Sequence, residues 1–209
     1  MSKKMTSRQL KALETKKAIY ESALKLFKEK GFDNVLIEDV TSSAGTSKGS
    51  FYTYFKSKDE VFIEYYKNID DLYEKSHMNV KNNPSPHEKL VYVLTEGIKY
   101  LETLGTEILT IVLLNQLSQK EKIPFVVNEN RTINRIVKEI IEEGQECNMF
   151  RRDLNSNELT FLVLQYYKGI FLDWCLLKGE FNFKSVGEKG LRCLINGMTV
   201  SKELEVEHN

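Results

Sequence analysis

Apolar residues recur along this chain at spacings of three and four rather than two, and its few glycines and prolines fall mostly between the periodic stretches. Such a pattern puts one apolar stripe on each of a series of helices and predicts an all-α protein without a strand. Ile19, Ala23, Leu26 and Phe27 share the first stripe, with Thr15 as N-cap and Gly31 at the C′ position, where a left-handed residue ends a helix cheaply. Ile37, Val40 and Ala44 give a second, short helix that stops at Gly45. Ser47 then caps a third short helix that buries Phe51 and Phe55. The box Ser57-Lys58-Asp59-Glu60 opens a long fourth helix through Phe62, Tyr65, Tyr66, Ile69 and Tyr73.

The rear of the chain continues in the same way. Ser85-Pro86-His87-Glu88, with proline at N1, starts a fifth helix carrying Leu90, Leu94, Ile98 and Leu101. Gly105 breaks it, and Ile108 to Leu117 makes a sixth. Ile133, Ile136, Val137, Ile140 and Ile141 mark one face of a seventh, which ends at Asn148, the usual substitute for glycine in a left-handed C′ residue. The box Asn155-Ser156-Asn157-Glu158 starts an eighth through Leu159, Leu162, Val163, Tyr166, Ile170 and Trp174 to Gly179. A ninth starts near Ser185 and Glu188, buries Leu191, Leu194, Ile195 and Met198, and stops at Gly197 or just after; the polar residues after Thr199 are expected to fray. About nine helices follow, read as a compact N-terminal domain over 1–57 and a larger helical domain over 58–209.

With 209 residues and 41% hydrophobic content, the chain can bury a substantial core. Thirty basic against thirty acidic residues exclude both a disordered tail and a uniformly basic nucleic-acid coat. Residues 1–60 nevertheless carry 12 Lys or Arg against 8 Asp or Glu, and the remainder is correspondingly acidic. Charge alone does not separate an anionic partner for the front from a chance fluctuation. The basic N-terminus lacks the apolar stretch of a signal peptide, and the run from Ile108 to Leu114 is too short to span a bilayer, so a cytoplasmic protein with no membrane role is expected. Cys147, Cys175 and Cys193 stand far apart without Cys-x-x-Cys or a nearby His, which points to buried free thiols and to neither disulfides nor a metal site. His77, His87 and His208 suggest no metal either.

Chemistry concentrates where two short helices flank the Gly45-Thr46 turn, the outline of a helix-turn-helix whose second helix can enter the DNA major groove. If Phe51 and Phe55 point inward, then Lys48, Gly49, Ser50, Tyr52, Thr53 and Tyr54 face outward, a set that packing explains poorly. Gly49 would let the backbone approach DNA, Tyr52 and Tyr54 would place phenol hydroxyls on phosphates, and Lys48, Ser50 and Thr53 could reach base edges. Lys58 sits at a helix start, where backbone N–H groups already favour a phosphate.

The stretch GFDNVLIEDVTSSAGTSKGSFYTYFKSKDEVF resembles the N-terminal DNA-binding domain of the TetR (tetracycline-repressor) family, through Gly31-Phe32, Asp39-Val40, Ala44-Gly45, Ser47-Lys48-Gly49, Phe51-Tyr52, Tyr54-Phe55 and Lys58 at ungapped spacing. IIEEGQECNMFRRDL and NELTFLVLQYYKGIFLDW are more weakly similar to later helices of many members. The resemblance implies an all-helical homodimer that binds a palindromic operator, usually as a repressor, and a small-molecule effector bound by the C-terminal domain. It implies base reading by Lys48, Gly49, Ser50 and Tyr52, and phosphate contact by Thr46, Ser47, Tyr54 and Lys58. Two positions depart from the family pattern: Leu36 stands where a capping Thr or Ser is usual, and Thr41 replaces a usual Ala.

Tyr65, Tyr66, Tyr92, Tyr100, Tyr166, Tyr167, Phe171 and Trp174 are candidate effector contacts, although aromatics at helical spacing serve a core equally well. The eighth helix carries two apolar sides, Leu162, Tyr166 and Ile170 on one and Phe161, Leu164, Phe171 and Cys175 on another, which predicts a dimer surface. Gly144, Gly169, Gly190 and Gly197 could permit close approach at that interface or serve simply as caps and solvent-facing positions. Gly45 to Ser50 lacks the Gly-Lys-Ser/Thr order of a phosphate loop, and no cofactor is implied. The rival class is a helical small-molecule-binding protein or enzyme with no DNA role, but no nucleophile–base pair, paired carboxylate site or metal cluster appears at interpretable spacing.

Overall fold

The computed structural model describes residues 6–83, 85–118 and 124–200. Among them are eight α-helices, one 3-10 turn at Phe125–Val127 and no strand, with a lone antiparallel bridge between Phe150 and Thr199. The chain forms two compact units. The first gathers residues up to Lys67 together with the stretch from Glu107 to the end of the fifth helix; the second holds residues 68–106 and those from Pro124 onward.

In the first unit, α1 (Ser7–Lys30) begins eight residues before the expected cap at Thr15. Thr6 caps it instead, accepting from the Gln9 N–H while Gln9 Oε1 accepts from the Thr6 N–H at 2.8 Å. Thr15 lies inside the helix and donates to the Lys11 carbonyl at 2.9 Å. The early turns escaped the periodicity because Leu10 and Leu13 stay exposed; helix-favouring Gln, Lys, Ala and Glu plus a capping box hold them without a buried face. Gly31, at φ 78°, ends the helix as expected.

α2 (Ile37–Ser43) and α3 (Lys48–Tyr54) pack with α1 around Ile19, Ala23, Phe27, Val40, Phe51 and Phe55. Thr41 is buried there, and its hydroxyl donates to the Glu38 carbonyl at 3.1 Å, so the departure from Ala leaves no orphan group. α4 (Asp59–Val80) follows. Its Glu60 carboxylate accepts from the Lys56 N–H at 2.8 Å, one residue further back than the box Ser57-x-x-Glu60 implies. α5 (Pro86–Ser118) is interrupted at Gly105, whose φ of 78° and ψ of 160° make the expected break a kink.

The second unit rests on α6 (Thr132–Glu146), α7 (Ser156–Leu176) and α8 (Phe183–Met198), with α7 packed against both neighbours. The five isoleucine and valine positions expected on one face of α6 are all buried. Asn148 adopts φ 56°, and the Met149 and Phe150 N–H groups both donate to the Gly144 carbonyl. The reciprocal Asn155–Glu158 box opens α7. α8 starts earlier than Ser185: the Asn182 side chain accepts from the Ser185 N–H at 2.7 Å, and Phe183, completely buried, stacks on Trp174 with ring centroids 4.7 Å apart. Val200, the first residue of the tail expected to fray, is pinned, since its N–H donates to the Met149 carbonyl while Arg151 N–H donates to that of Met198; the rest of the tail lies outside the described residues.

The cysteines and the faces of α7 also differ from expectation. Of the three cysteines only Cys175 is buried, while Cys147 and Cys193 are exposed free thiols. On α7, Leu164, Ile170, Phe171 and Cys175 belong to the core, and the apolar residues left exposed are Phe161, Leu162, Leu172 and Leu176, which a 100° step places on one face. Helical spacing gives the two faces but not which of them a neighbouring helix covers.

Candidate nucleic-acid interface

The turn between α2 and α3 is fixed by backbone bonding: Ala44 N–H returns to the Val40 carbonyl, Gly45 takes φ 62°, and Thr46 N–H donates to the Thr41 carbonyl. Ser47 accepts from the Ser50 N–H at 3.1 Å and caps α3. With Phe51 and Phe55 anchoring the inner side, Ser47, Lys48, Gly49, Tyr52 and Thr53 are exposed, and Thr46, Ser50 and Tyr54 are half-buried. None of the candidate residues from Thr46 to Tyr54 is fully buried, and the exposed ones flank the inward Phe51 and Phe55.

Gly49 is the telling member. It is helical, where glycine costs up to about 1 kcal/mol relative to alanine. A Cβ built there would meet only Ser47 Oγ, at 3.8 Å. Nothing inside the protein requires its bareness.

Lys48 donates to Glu38 of α2 at 2.5 Å. The hydrogen bond holds the Glu38 carboxyl below its ordinary range and the Lys48 ammonium above its own. Both groups are exposed, so water screens the pair and a stronger acceptor can take the lysine. Thr53 spends its hydroxyl on the Gly49 carbonyl at 3.0 Å. Leu36 remains the N-cap residue of α2, without a side-chain acceptor; the reciprocal half of the box survives, with Leu36 N–H donating to Asp39 at 3.0 Å.

Lys58 faces inward. Its ammonium donates to the Phe32 and Val35 carbonyls, both at 2.8 Å, and lies 4.6 Å from the centroid of the Phe32 ring. Two of its three donors tie the α1–α2 connection to the start of α4. Main-chain acceptors leave no trace in residue identity, so this clamp was illegible in the sequence.

The aromatic effector candidates are not gathered. Tyr65 is buried in the first unit, and the side chain of Tyr66 lies outside the described residues. In the second unit Tyr167 shares a buried 2.9 Å hydrogen bond with Tyr73, and burial pushes the Tyr73 phenol up to about 12. Tyr166 reaches the Val186 and Gly187 carbonyls, Trp174 donates to the Phe181 carbonyl at 3.1 Å, Phe171 is buried, and Tyr100 is half-buried. Tyr92 is partly exposed and lines a small charged cleft. A larger groove of about 810 Å³ opens between α6, α7 and the segment before α6, lined by Arg131, Arg135, Lys138, Lys168, Phe161 and Leu164 among others. The spacing of 131, 135 and 138 along one helix face was the available signal for it. Among the described residues no group of three or more His, Cys, Asp or Glu could hold a metal ion, and no helix is long and apolar enough to cross a membrane.

Residues 19–65 match the family described as bacterial regulatory proteins, tetR family, and residues 65–197 match the YsiA-like protein C-terminal region. The chain belongs to the TetR family of DNA-binding transcriptional regulators. It is 24% identical over 186 residues, 88% of this chain and 90% of the relative, to the HTH-type transcriptional repressor KstR2 of Mycolicibacterium smegmatis. Its fold is similar to that of the fatty acid degradation regulator FadR from Bacillus halodurans, with a TM-score of 0.72 at 18% identity over 93% of this chain and 98% of that one. Thermus thermophilus FadR in complex with lauroyl-CoA gives 0.67 at 20% identity over 90% and 96%.

Proposed function

We propose that this regulator represses transcription by binding a palindromic operator as a homodimer, α3 of each protomer in the major groove, and releases it when a small amphipathic acyl compound binds the second unit. The observation that carries the DNA contact is Gly49, a glycine the protein's own packing does not need, set among exposed hydroxyls, Tyr52 and a loosely held lysine. In this reading Lys48, Gly49, Ser50, Tyr52 and Thr53 meet base edges, and Thr46, Ser47 and Tyr54 meet phosphates, while Lys58, first expected on a phosphate, serves instead to clamp the α1–α2 connection. DNA contact belongs to residues 1–57, effector binding and dimerisation to 58–209, and the protein works in the cytoplasm without a catalytic step. The acyl class is supported by the mixed apolar and basic lining of the α6–α7 groove and by lauroyl-CoA in the T. thermophilus relative.

With operator sequences selected from random DNA, Gly49→Ala is expected to weaken binding about tenfold or more, a single well-placed contact being worth about 1–3 kcal/mol. The DNA-free protein should be as stable as wild type or up to about 1 kcal/mol more so. Unchanged operator affinity would remove the assignment.

The dimer reading rests on Phe161, Leu162, Leu172 and Leu176, which leave an apolar face on α7, and on Gly169, where a Cβ would meet nothing within 4 Å. Sedimentation at micromolar concentration should show a dimer for wild type and a monomer for Leu162→Glu/Leu172→Glu. A wild-type monomer, or a dimer that survives both charges, contradicts it.

A further inference from the structure

The groove between α6 and α7 is lined by four cations and one acid, Glu129, and three of the cations are paired with carboxylates. Arg135 pairs with Glu74 and Glu139, Lys138 with Glu142 at 3.7 Å, and Arg131 with Asp70 at 2.8 Å. Lys168 has no acidic partner among the described residues, although it is half-buried. Thr160, two i+4 steps earlier on α7, lines the same groove; it is only 7% exposed, and its hydroxyl has no hydrogen-bond partner among the described residues. A buried hydroxyl left unmatched costs about 1–3 kcal/mol, and a half-buried cation without a counter-ion adds to that. Leu164, the intervening i+4 residue, supplies an apolar wall beside both groups.

The geometry points to an anion site in this groove, formed by Lys168, Thr160 and Arg131, that takes the phosphate or carboxylate end of the effector and draws Arg131 away from Asp70 of α4. The inference rests on the reading that an amphipathic effector releases DNA, and it adds where the charged end sits and which contact it breaks. Thr160 would donate its hydroxyl to the anion, and Lys168 would supply the charge. Burial and the nearby Arg131 already depress the Lys168 ammonium, the mark of a positive potential that an anion would relieve.

The Asp70–Arg131 pair is suited to exchange. Burial raises the Asp70 carboxyl above its ordinary range, and Arg131 only partly offsets this, so Asp70 is a poorly solvated anion whose hold on Arg131 an incoming one can challenge. Arg131 is the N-cap residue of α6, and its guanidinium lies over the Phe125 ring at 4.7 Å, a face along which it can turn between partners. Asp70 lies on α4, the helix that begins immediately after the DNA-binding segment.

The test uses the whole protein with three probes: lauroyl-CoA for phosphates, lauric acid for a carboxylate, and dodecanol as a neutral control. Calorimetry without DNA reads the site, and operator anisotropy on the same samples reads release. Lys168→Gln and Thr160→Val should each weaken at least one anionic probe about tenfold while shifting dodecanol by less than about twofold; the arm that responds identifies the anion. Asp70→Asn, which removes the competitor, should tighten the same probe about threefold or more. Failure of both anionic probes to bind, or equal affinities in wild type, Lys168→Gln and Thr160→Val, overturns the site. Unchanged or weaker binding by Asp70→Asn overturns the exchange. Lys168-dependent binding that leaves operator affinity untouched leaves the site standing and sinks the release reading instead.

Discussion

Replacing Gly97 by alanine is expected to lower unfolding free energy by about 2–4 kcal/mol. A Cβ at this position of α5 would lie 2.3 Å from the Tyr167 hydroxyl and 2.6 Å from the Tyr73 ring. Both rings are buried, at 8% and 1% exposure, so neither can swing into water to make room. Their mutual hydrogen bond at 2.9 Å would break together with the packing. A double-mutant cycle separates the two causes. Tyr167→Phe alone loses a buried hydrogen bond, yet in the Gly97→Ala background it removes the closest clashing atom, so the two changes should be less destructive together than their sum by about 1 kcal/mol. Urea denaturation gives all four values, and strict additivity would show that the clash is relieved some other way.

Lys58→Met should cost about 2–3 kcal/mol in the protein without DNA. Its ammonium serves the Phe32 and Val35 carbonyls and the Phe32 ring, and methionine keeps the stem while removing all three interactions. A lysine that served phosphates alone would leave the DNA-free midpoint of denaturation at the wild-type value. Loss of stability with a parallel loss of operator affinity fits a clamp that keeps α3 presented; loss of affinity with a flatter salt dependence and no loss of stability fits a phosphate contact.

Helices that bury a stripe were legible from the sequence, because a core face must repeat at three and four: α6 is the clearest instance, its five isoleucine and valine positions all inside. Local chemistry was legible too, since Asn148 and the Asn155–Glu158 box carry their geometry in their own residue types. The first turns of α1 were not, because a helix held by propensity and a cap at Thr6 has no buried face to announce it. The helix-turn-helix surface could be read from the two inward phenylalanines. The groove cations could not be ranked, because the pairing of Arg131 with Asp70 and of Arg135 with Glu74 is a tertiary fact; Glu139 and Glu142 are i,i+4 partners on α6 itself, and only subtraction of all four leaves Lys168. The aromatic candidates failed to gather for a related reason: a ring at helical spacing finds its nearest neighbour in the core.

The first unit is discontinuous, and this sets an order of events during synthesis. Lys28 of α1 pairs with Glu107 at 3.5 Å, and the Asn115 amide donates to Asp59 at 2.5 Å. Ile108, Leu109 and Val112, in the same unit, are buried. A ribosome that has finished residue 57 still has about fifty residues to add before Glu107 appears, roughly 3–10 s at bacterial elongation rates of about 5–20 residues per second. For that interval the nascent head is missing a part of its own unit, and completion of the DNA-reading end waits on a stretch from the middle of the gene. A cut after α3 would therefore yield an incomplete head, and recombination that exchanges heads between relatives would have to carry the α5 segment along with α1 to α3.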